Sequence, residues 1–314
     1  MDREGTSAAA EPGGPEESAT WVVGDVHGHR DEMVDALRAA GLVDANEAWC
    51  GGTARLWFLG DFFDRGPDGA GVVDVVMRLV DQAEEARGEV RALLGNHEIL
   101  ALGVHRFGAT EVPSGMGKRS FQRSWEINGG QPADQDALSD AQVKWLAELP
   151  VLAHAGDQVL MHSDTIEYFR WGRTEDEINS AVRELLAGDD IVEWWECWRR
   201  MTTRYAFRGP FGAQVADEVL RQLGGRRIVH GHSLIPEQLG IHPEDVEGPY
   251  LYAGGMALNV DGGLFLGGPC LVVRLPWSPD EEDASPDDTA EDDTAEDDTA
   301  ETGATGESGG DEAP

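Results

Sequence analysis

Two carboxylates and a guanidinium fall within one short turn of the sequence. Asp61, Asp64 and Arg65 lie in the run GDFFDRG at residues 60–66, directly after the apolar residues 56–59. A short apolar run that ends in glycine is typical of a buried strand that delivers polar side chains to a sheet edge. Taken alone, this turn is explained equally well as a loop stabilised by its own aspartates.

The same design recurs along the chain. Four further apolar runs end in residue types that ligate metals or carry protons, namely Asp25 and His27, Asn96 and His97, His162, and His230 and His232. Carboxylates and imidazoles at the ends of five apolar strands need polar partners or a metal, because burying an unpaired charge is costly. The sequence therefore predicts that these strand ends meet at one site.

This ordered set of motifs resembles the calcineurin-like metallophosphoesterases, and within them the phosphoprotein-phosphatase (PPP) branch. The resemblance is carried by GDVHG at 24–28, GDFFDRG at 60–66, GNHE at 95–98, His162 after a strand and Gly231-His232. It covers residues 24–232 and continues to the apolar runs near residue 275. It implies an α/β fold in which a two-sheet β-sandwich is flanked by helices (α/β/β/α).

The resemblance also implies a pair of divalent ions and assigns their ligands. Asp25 and His27 would hold the first ion, Asp61 would bridge both ions, and the second ion would be held by Asn96, His162 and His232. Carboxylate, imidazole and amide donors without a thiolate suit manganese best, with iron or zinc as alternatives. A water activated by the ions would attack phosphorus directly.

Four more residues receive roles from the same resemblance. His97 would protonate the leaving alkoxide, and Asp64 would orient its imidazole. Arg65 would bind the phosphate oxygens, because planar guanidinium donors match phosphate geometry. A second phosphate-binding arginine is expected before the last strands, and we prefer Arg208 over Arg204.

Two departures from the family pattern limit the choice of substrate. Gly231-His232 is followed by Ser233-Leu234, so the second histidine of the GHxH pattern is absent, and His230 is expected to be a neighbour rather than a ligand. Where many protein phosphatases of the branch have Gly-Gly or Ala-Gly after the strand histidine, this chain has Ser163-Asp164. The resemblance is therefore to bacterial and phage members of the branch.

Those members act on two kinds of substrate, which leaves alternatives open. We expect hydrolysis of phosphomonoesters by a serine/threonine protein phosphatase, with a symmetrical diadenosine tetraphosphatase or other nucleotide phosphoesterase as the alternative. An inactive metal-binding interaction protein is a third hypothesis, disfavoured because no ligand residue is missing. The substrate is expected to be a phosphorylated protein or a small phosphoester, and the sequence carries no signal for an oligomeric state.

Periodicity indicates which elements position these residues. Apolar residues at helical spacing predict helices near residues 31–40, 72–87, 99–104, 141–149, 175–186, 191–201 and 215–223. Residues 106–140 show no clear period and read as an irregular connection that carries the basic residues Lys118, Arg119 and Arg123, either as solvated charge or as substrate contacts. The tryptophans of residues 191–201, at 194, 195 and 198, are expected to pack in the core.

Composition sets the domain limits and excludes some partners. The formal charge of the 314 residues is −36, of which residues 278–314 contribute 16 acidic side chains, including three DDTAE repeats. The remaining −20 argues against nucleic-acid binding. We expect a disordered acidic lead at 1–19, one domain at 20–277 with insertions at 104–140 and 165–205, and a disordered tail at 278–314.

The expected compartment follows from the cysteines and from the absence of targeting signals. Cys50, Cys197 and Cys270 form no paired framework, which suits a reducing cytoplasm. The N-terminal residues have neither the basic nor the apolar region of a signal peptide, and no run is long enough to span a membrane. A soluble cytoplasmic protein without membrane partners is the expectation.

Overall fold

The computed structural model describes residues 18–113 and 118–279. By internal contacts the chain divides into two units, residues 1–276 and residues 277–314, and every helix and strand described below lies in the first. The predicted acidic lead and tail fall almost entirely outside the described residues, so both stay predictions.

Within residues 18–113 and 118–279, nine strands form two sheets. Their bounds are β1 Thr20–Val23, β2 Arg55–Phe58, β3 Glu89–Ala92, β4 Leu152–Ala155, β5 Gln158–Met161, β6 Arg227–His230, β7 Tyr250–Tyr252, β8 Ala257–Asn259 and β9 Val272–Leu275. The first sheet has the order β3-β2-β1-β9, and the second has the order β4-β5-β6-β8-β7. Parallel pairing joins β1, β2 and β3 in one sheet and β5, β6 and β8 in the other.

In the part of the chain that the structure describes, ten α-helices cover the sheets and connect the strands. Their bounds are α1 Arg30–Ala39, α2 Gly69–Glu85, α3 Asn96–Phe107, α4 Phe121–Ile127, α5 Pro132–Ala137, α6 Asp140–Ala147, α7 Glu175–Ala187, α8 Ile191–Met201, α9 Gly212–Leu223 and α10 Ile235–Leu239. Two sheets flanked by helices confirm the predicted α/β architecture. Among the described residues, no helix combines the length and apolarity that crossing a membrane requires.

Apart from β3, which contains Glu89 and the exposed Arg91, the parallel strands are buried on both faces for most of their length, which explains why they read as continuous apolar runs. Val22, Val23, Leu56 and Phe58 are each fully buried. On α2, the predicted apolar stripe is buried as well, including Val72, Val73, Val76 and Leu79. Strands of this kind are rigid, so the polar residues that follow their carboxyl ends are held in fixed positions.

Three local predictions were wrong. Residues 93–94 follow β3 instead of forming the strand itself, and α3 begins at Asn96, so the GNHE motif opens a helix. The connection at 106–140 is not wholly irregular, because it contains α4 and α5. Helices of seven and six residues make too few turns to show a hydrophobic period. Strands β4 and β7 were not predicted, because neither ends in one of the motif residues.

The aromatic cluster on α8 packs in the core as predicted. Trp194 and Trp195 are buried, and the Trp195 ring meets Phe121 edge-on with centroids 5.4 Å apart. Phe121 opens α4, so these contacts join the two predicted insertions to each other. Helix α4 is thereby held at the side of the sheet where the motif residues lie.

Candidate metal centre

The turns that follow the strands are joined by hydrogen bonds. The N–H of His27 donates to the Asp61 carbonyl at 2.8 Å, and the N–H of His97 donates to Asp61 Oδ1 at 2.9 Å. The N–H of His232 donates to Asp25 Oδ1 at 3.0 Å, which ties the second sheet to the first. The predicted convergence of the strand ends is therefore present in the structure.

Glycine is required where these turns approach each other most closely. A Cβ on Gly95 would lie 2.2 Å from Asp61 Oδ1, and one on Gly231 would lie 2.1 Å from Asp25 Oδ1. Both distances are shorter than any real Cβ contact. The glycines of GNHE and of Gly-His therefore allow the carboxylates to sit against the neighbouring backbone.

The backbone of the site is strained. Five residues other than glycine adopt positive φ, namely His27 (47°), Asp61 (56°), Asp64 (70°), Arg65 (68°) and His232 (64°). Each such conformation costs on the order of 1–3 kcal/mol and persists only where surrounding contacts impose it. Strain concentrated on residues with metal-ligating and proton-carrying side chains is typical of a functional site.

Two groups of side chains bring potential ligand atoms within 4.8 Å of one another. The first group is Asp25, Asp61, His162 and His232, and the second is His27, Asp61 and His97. All are buried, and Asp61 belongs to both groups. This shared position is what a bridging carboxylate requires.

The grouping differs in one respect from the pairing expected from the sequence. Asp25 lies with His162 and His232, although its Oδ2 is also only 3.9 Å from His27 Nε2. Asp25 thus lies between the two groups and faces both. The assignment of each side chain to one particular ion stays a prediction.

Backbone carbonyls fix the orientation of two imidazoles. His162 Nδ1–H donates to the Leu59 carbonyl, and His27 Nδ1–H donates to the Phe63 carbonyl, both at 2.9 Å. The Nε2 atoms then face Asp61, at 3.3 Å from Oδ1 for His162 and 3.8 Å from Oδ2 for His27. Fixing one ring nitrogen as a donor leaves the other as a lone pair for a metal.

His232 and Asn96 complete the set. His232 Nε2–H donates to the Thr202 carbonyl at 3.1 Å, so its Nδ1 is the atom available to a metal. Asn96 Oδ1 lies 2.9 Å from His162 Nε2, at the edge of the first group. The structure therefore places all six predicted ligands around one point.

His230 is excluded from this set by its own hydrogen bonds. Its Nδ1 is 2.8 Å from the Gly231 carbonyl, and its Nε2 is 2.7 Å from the Tyr252 hydroxyl. Both ring nitrogens are therefore engaged within the protein. The geometry agrees with its expected position as a neighbour.

The site contains far more negative than positive side-chain charge. Five of its carboxylates are at most 5% exposed, namely Asp25, Asp61, Asp64, Glu98 and Asp261. Burial and the charge of Asp261 raise the pKa of Asp25 well above its usual range. Burial raises the pKa of Asp261 to about 6, and its Oδ2 has no hydrogen-bond partner among the described residues.

Asp61 and His162 respond to this imbalance in opposite directions. Burial raises the pKa of Asp61, but the charges of His162 and His97 outweigh it and hold that pKa well below its usual range. Burial lowers the pKa of His162, yet Asp61 and Asp25 raise it to about 9. Buried carboxylates facing imidazole and amide donors, with no thiolate, are a donor set that fits divalent cations.

A second set of contacts surrounds His97. Asp64 is fully buried, and its Oδ2 accepts from His97 Nδ1–H at 2.6 Å while its Oδ1 accepts from Trp125 Nε1–H at 2.6 Å. Arg65 lies over the Phe265 ring at 3.9 Å, and its guanidinium is 3.3 Å from His97 Nε2. The ring nitrogen of His97 that is not bonded to Asp64 therefore faces the same space as the Arg65 guanidinium.

The two candidates for the second arginine differ in burial. Arg208 is exposed, and its guanidinium lies 3.4 Å from the Gln238 carbonyl and 4.8 Å from the Tyr205 ring. Arg204 is half-buried and lies two residues after Thr202, whose carbonyl accepts from His232 Nε2–H at 3.1 Å. The identity of the second phosphate-binding arginine stays a prediction, with Arg204 and Arg208 as its two candidates.

The basic residues of the connection lie at its surface. Lys118 is exposed and pairs with Glu111 at 2.9 Å, and Arg123 is exposed on α4. Arg119 is half-buried before that helix. No contact among the described residues joins these three side chains to the predicted metal ligands, which agrees with the reading as solvated charge.

Three residues that support the site had no role in the sequence analysis. Glu98 is fully buried and accepts the N–H groups of Asp61 and Gly95, each at 2.8 Å. The motif GNHE contained this signal, since a glutamate three residues after a helix start commonly binds that helix end. Trp125 and Asp261 lie far from the motifs in sequence, and only Asp261, which follows an apolar run, could have been suspected.

A family model described as calcineurin-like phosphoesterase matches residues 19–236. A Shewanella-like protein phosphatase 2 of Arabidopsis thaliana is 35% identical over 79 residues, which are 25% of this chain and 20% of that protein. A symmetrical bis(5'-nucleosyl)-tetraphosphatase of Neisseria gonorrhoeae is 26% identical over 167 residues, 53% of this chain and 51% of the relative. The chain thus spans about a fifth of the length of the Arabidopsis relative and about half of the length of the Neisseria relative.

Solved structures show the same fold. A cold-active protein-tyrosine phosphatase of a psychrophilic Shewanella species aligns with a TM-score of 0.62 and 22% identity, over 82% of this chain and 75% of that one. At this identity the likeness extends to the fold alone.

Proposed function

This chain belongs to the calcineurin-like phosphoesterase family, and we propose that it hydrolyses phosphoserine and phosphothreonine in proteins with the help of two divalent ions. The observation that carries the proposal is Asp61, shared by two buried ligand groups, with His97 beside it. Two bound ions would lower the pKa of a shared water and neutralise phosphoryl oxygens. Manganese is the proposed metal, since the donors are oxygen and nitrogen atoms.

The proposed ligands are Asp25, His27, Asp61, Asn96, His162 and His232. Around them, His97 is the proposed proton donor to the leaving oxygen. Asp64 holds Nδ1 of its ring, so the proton to be transferred resides on Nε2. Arg65 is a proposed contact to the phosphate oxygens, and its guanidinium lies 3.0 Å from His27 Nε2. As the second contact we propose Arg204, which is half-buried, ahead of the exposed Arg208.

Two further basic side chains among the described residues are already paired, which supports a protein substrate over a dinucleoside polyphosphate. A tetraphosphate chain carries several negative charges beyond the phosphate under attack. Lys118 is engaged with Glu111, and Arg200 forms a salt bridge with Glu167. Two arginines suffice for one phosphate. A longer polyphosphate would bring further negative charge to a chain whose formal charge is −36.

Similarity to symmetrical tetraphosphatases supports the alternative substrate. The tetraphosphatase from Neisseria matches 53% of this chain, so hydrolysis of diadenosine tetraphosphate to two ADP is the second candidate activity.

The free cysteines, of which Cys197 is buried, suit a reducing cytoplasm as the proposed location.

The test compares substrates with one preparation of protein. Chelator-treated protein should not hydrolyse p-nitrophenyl phosphate, and added Mn²⁺ should restore the activity. Phosphoserine and phosphothreonine peptides should then be cleaved, while diadenosine tetraphosphate is cleaved negligibly. Efficient release of ADP with untouched phosphopeptides would overturn the choice of substrate, and no metal-dependent hydrolysis at any pH would favour a binding protein without activity.

A triple variant separates the two candidates further. Replacing Lys118, Arg119 and Arg123 with alanine should alter peptide preference if the substrate is a protein. If a polyphosphate is the substrate, the same variant should raise KM for diadenosine tetraphosphate sharply. p-Nitrophenyl phosphate serves as the control in both cases, because it is too small to reach these residues.

A further inference from the structure

Asp164 is the second residue after the predicted ligand His162, and its side chain is fully buried. Its Oδ2 accepts the Tyr205 N–H at 2.9 Å, and its backbone carbonyl accepts the Ala206 N–H at 2.9 Å. Its Oδ1 accepts the hydroxyl hydrogen of Ser233, the residue after the ligand His232. One carboxylate therefore joins the loop after β5, the turn after β6 and the segment of residues 202–206.

The two residues that precede Arg204 are also held by hydrogen bonds. Thr202 accepts from His232 Nε2–H through its carbonyl at 3.1 Å. Thr203 Oγ1 lies 2.7 Å from Thr165 Oγ1. The residues on both sides of Arg204 are thus bonded to the loops that supply His162 and His232.

Tyr205 itself is held in an unfavourable conformation. Its φ is 71°, which side chains with a Cβ rarely adopt unless neighbouring contacts impose it. The hydrogen bond to Asp164 is donated by the backbone N–H of this residue. The Cζ atoms of Arg204 and Arg208 lie 6.0 Å and 4.8 Å from the Tyr205 ring, so the conformation of Tyr205 bears on both arginines.

We propose that Asp164 is a positioning residue that holds Arg204 beside the metal centre and so sets the affinity of the site for a phosphate group. The proposal rests on the proposed function, because it takes a phosphate as the group that Arg204 binds. Without the carboxylate, Tyr205 relaxes to negative φ and the arginine moves relative to His232. A glycine at this position has no side chain that could serve the same purpose.

The experiment measures binding of inorganic phosphate to the manganese-loaded protein by titration calorimetry. Asp164→Ala should weaken phosphate binding about tenfold to a hundredfold, the range for losing a hydrogen bond to a charged group. Arg204→Ala should weaken it to a similar degree. The double variant should bind no more weakly than Arg204→Ala alone, because a residue that acts through another adds nothing once that residue is gone.

Two further variants keep the proposal open to refutation if Asp164→Ala does not fold. Asp164→Asn should retain most of the affinity, since its amide oxygen still accepts the Tyr205 N–H and Ser233 can accept from its NH₂. Thr165→Val removes the hydroxyl that contacts Thr203 and should weaken phosphate binding about twofold to tenfold. This effect should also vanish in the Arg204→Ala background.

The control is Tyr252→Phe, which removes a hydroxyl 3.4 Å from Asp164 Oδ2 but leaves the Tyr205 bond. It should leave phosphate affinity within about threefold of wild type. Manganese affinity should stay unchanged in Asp164→Ala. Losses that add in the double variant, or manganese affinity that falls in parallel with phosphate affinity, would overturn the proposal. Calorimetry needs no turnover, so a failure of hydrolysis by the wild type would count against the proposed function alone.

Discussion

Replacing Asp64 with asparagine removes the charge behind His97 and keeps the size of the side chain. Asp64 is fully buried between two donors, His97 Nδ1–H and Trp125 Nε1–H, each 2.6 Å away. Because the indole nitrogen can only donate, the asparagine oxygen must face Trp125. Its NH₂ group then faces His97 Nδ1, which can no longer carry a proton. His97 therefore cannot carry protons on both ring nitrogens, and it can no longer act as a general acid.

The size of the effect depends on the leaving group. General acid catalysis contributes typically 10²–10⁴-fold, or about 2.7–5.4 kcal/mol of barrier. We expect Asp64→Asn to lower kcat on a phosphoserine peptide by about that factor, since an alkoxide leaves only when protonated. On p-nitrophenyl phosphate the leaving phenolate needs little protonation, so the loss should be about tenfold or less.

The assay measures kcat on both substrates at saturating Mn²⁺, with manganese affinity as a check that the metal centre is intact. Trp125→Phe is the matched comparison, because it removes the other donor and leaves the Asp64 charge on His97. It should keep the wild-type ratio between the two substrates while lowering the free energy of unfolding by about 1.5–3 kcal/mol. Equal losses on peptide and aryl phosphate in Asp64→Asn would refute the assignment of His97 as the acid.

Three further outcomes are expected. Asp61→Asn should abolish manganese-dependent hydrolysis more completely than His97→Asn, because it removes a charge shared by both ligand groups, and the rates of the two variants can be compared directly. Glu98→Gln should lower the free energy of unfolding in urea by about 1.5–3 kcal/mol, because one amide oxygen cannot accept the three backbone N–H groups that the carboxylate accepts. At pH 8 in native protein, Ellman's reagent should label the exposed Cys50 rapidly and Cys197 only after unfolding, because burial raises the pKa of the Cys197 thiol to about 12.

The motif residues could be predicted because each follows a continuous apolar run. Such runs form parallel strands buried on both faces, and the carboxyl ends of these strands meet at one sheet edge. The apolar runs alone therefore predict that Asp25, Asp61 and Asn96 converge. The left-handed backbone at Asp61 and His232 has no such signal in the sequence, since only the packed turns impose it.

The supporting contacts could not be predicted, because they join segments distant in sequence. Trp125 lies on a helix of seven residues, which is too short to show a hydrophobic period. Its indole N–H donates to a carboxylate 61 positions earlier in the chain. Asp164 reads as a departure from the family pattern, yet its partner Tyr205 is 41 positions further on. The choice between Arg208 and Arg204 could not be argued from burial for a similar reason, since only the fold shows that Arg204 is half-buried and Arg208 is exposed.

The central claim is that hydrolysis requires divalent ions held around Asp61. The most direct test measures the rate of p-nitrophenyl phosphate hydrolysis against the number of manganese ions bound per chain, counted by mass spectrometry after dialysis. We expect no hydrolysis by metal-free protein and full activity at two manganese ions per chain. Asp61→Asn should neither bind two ions per chain nor reach the wild-type activity. Metal-free protein that hydrolyses the substrate at the full rate, or a chain that binds no manganese, would contradict it.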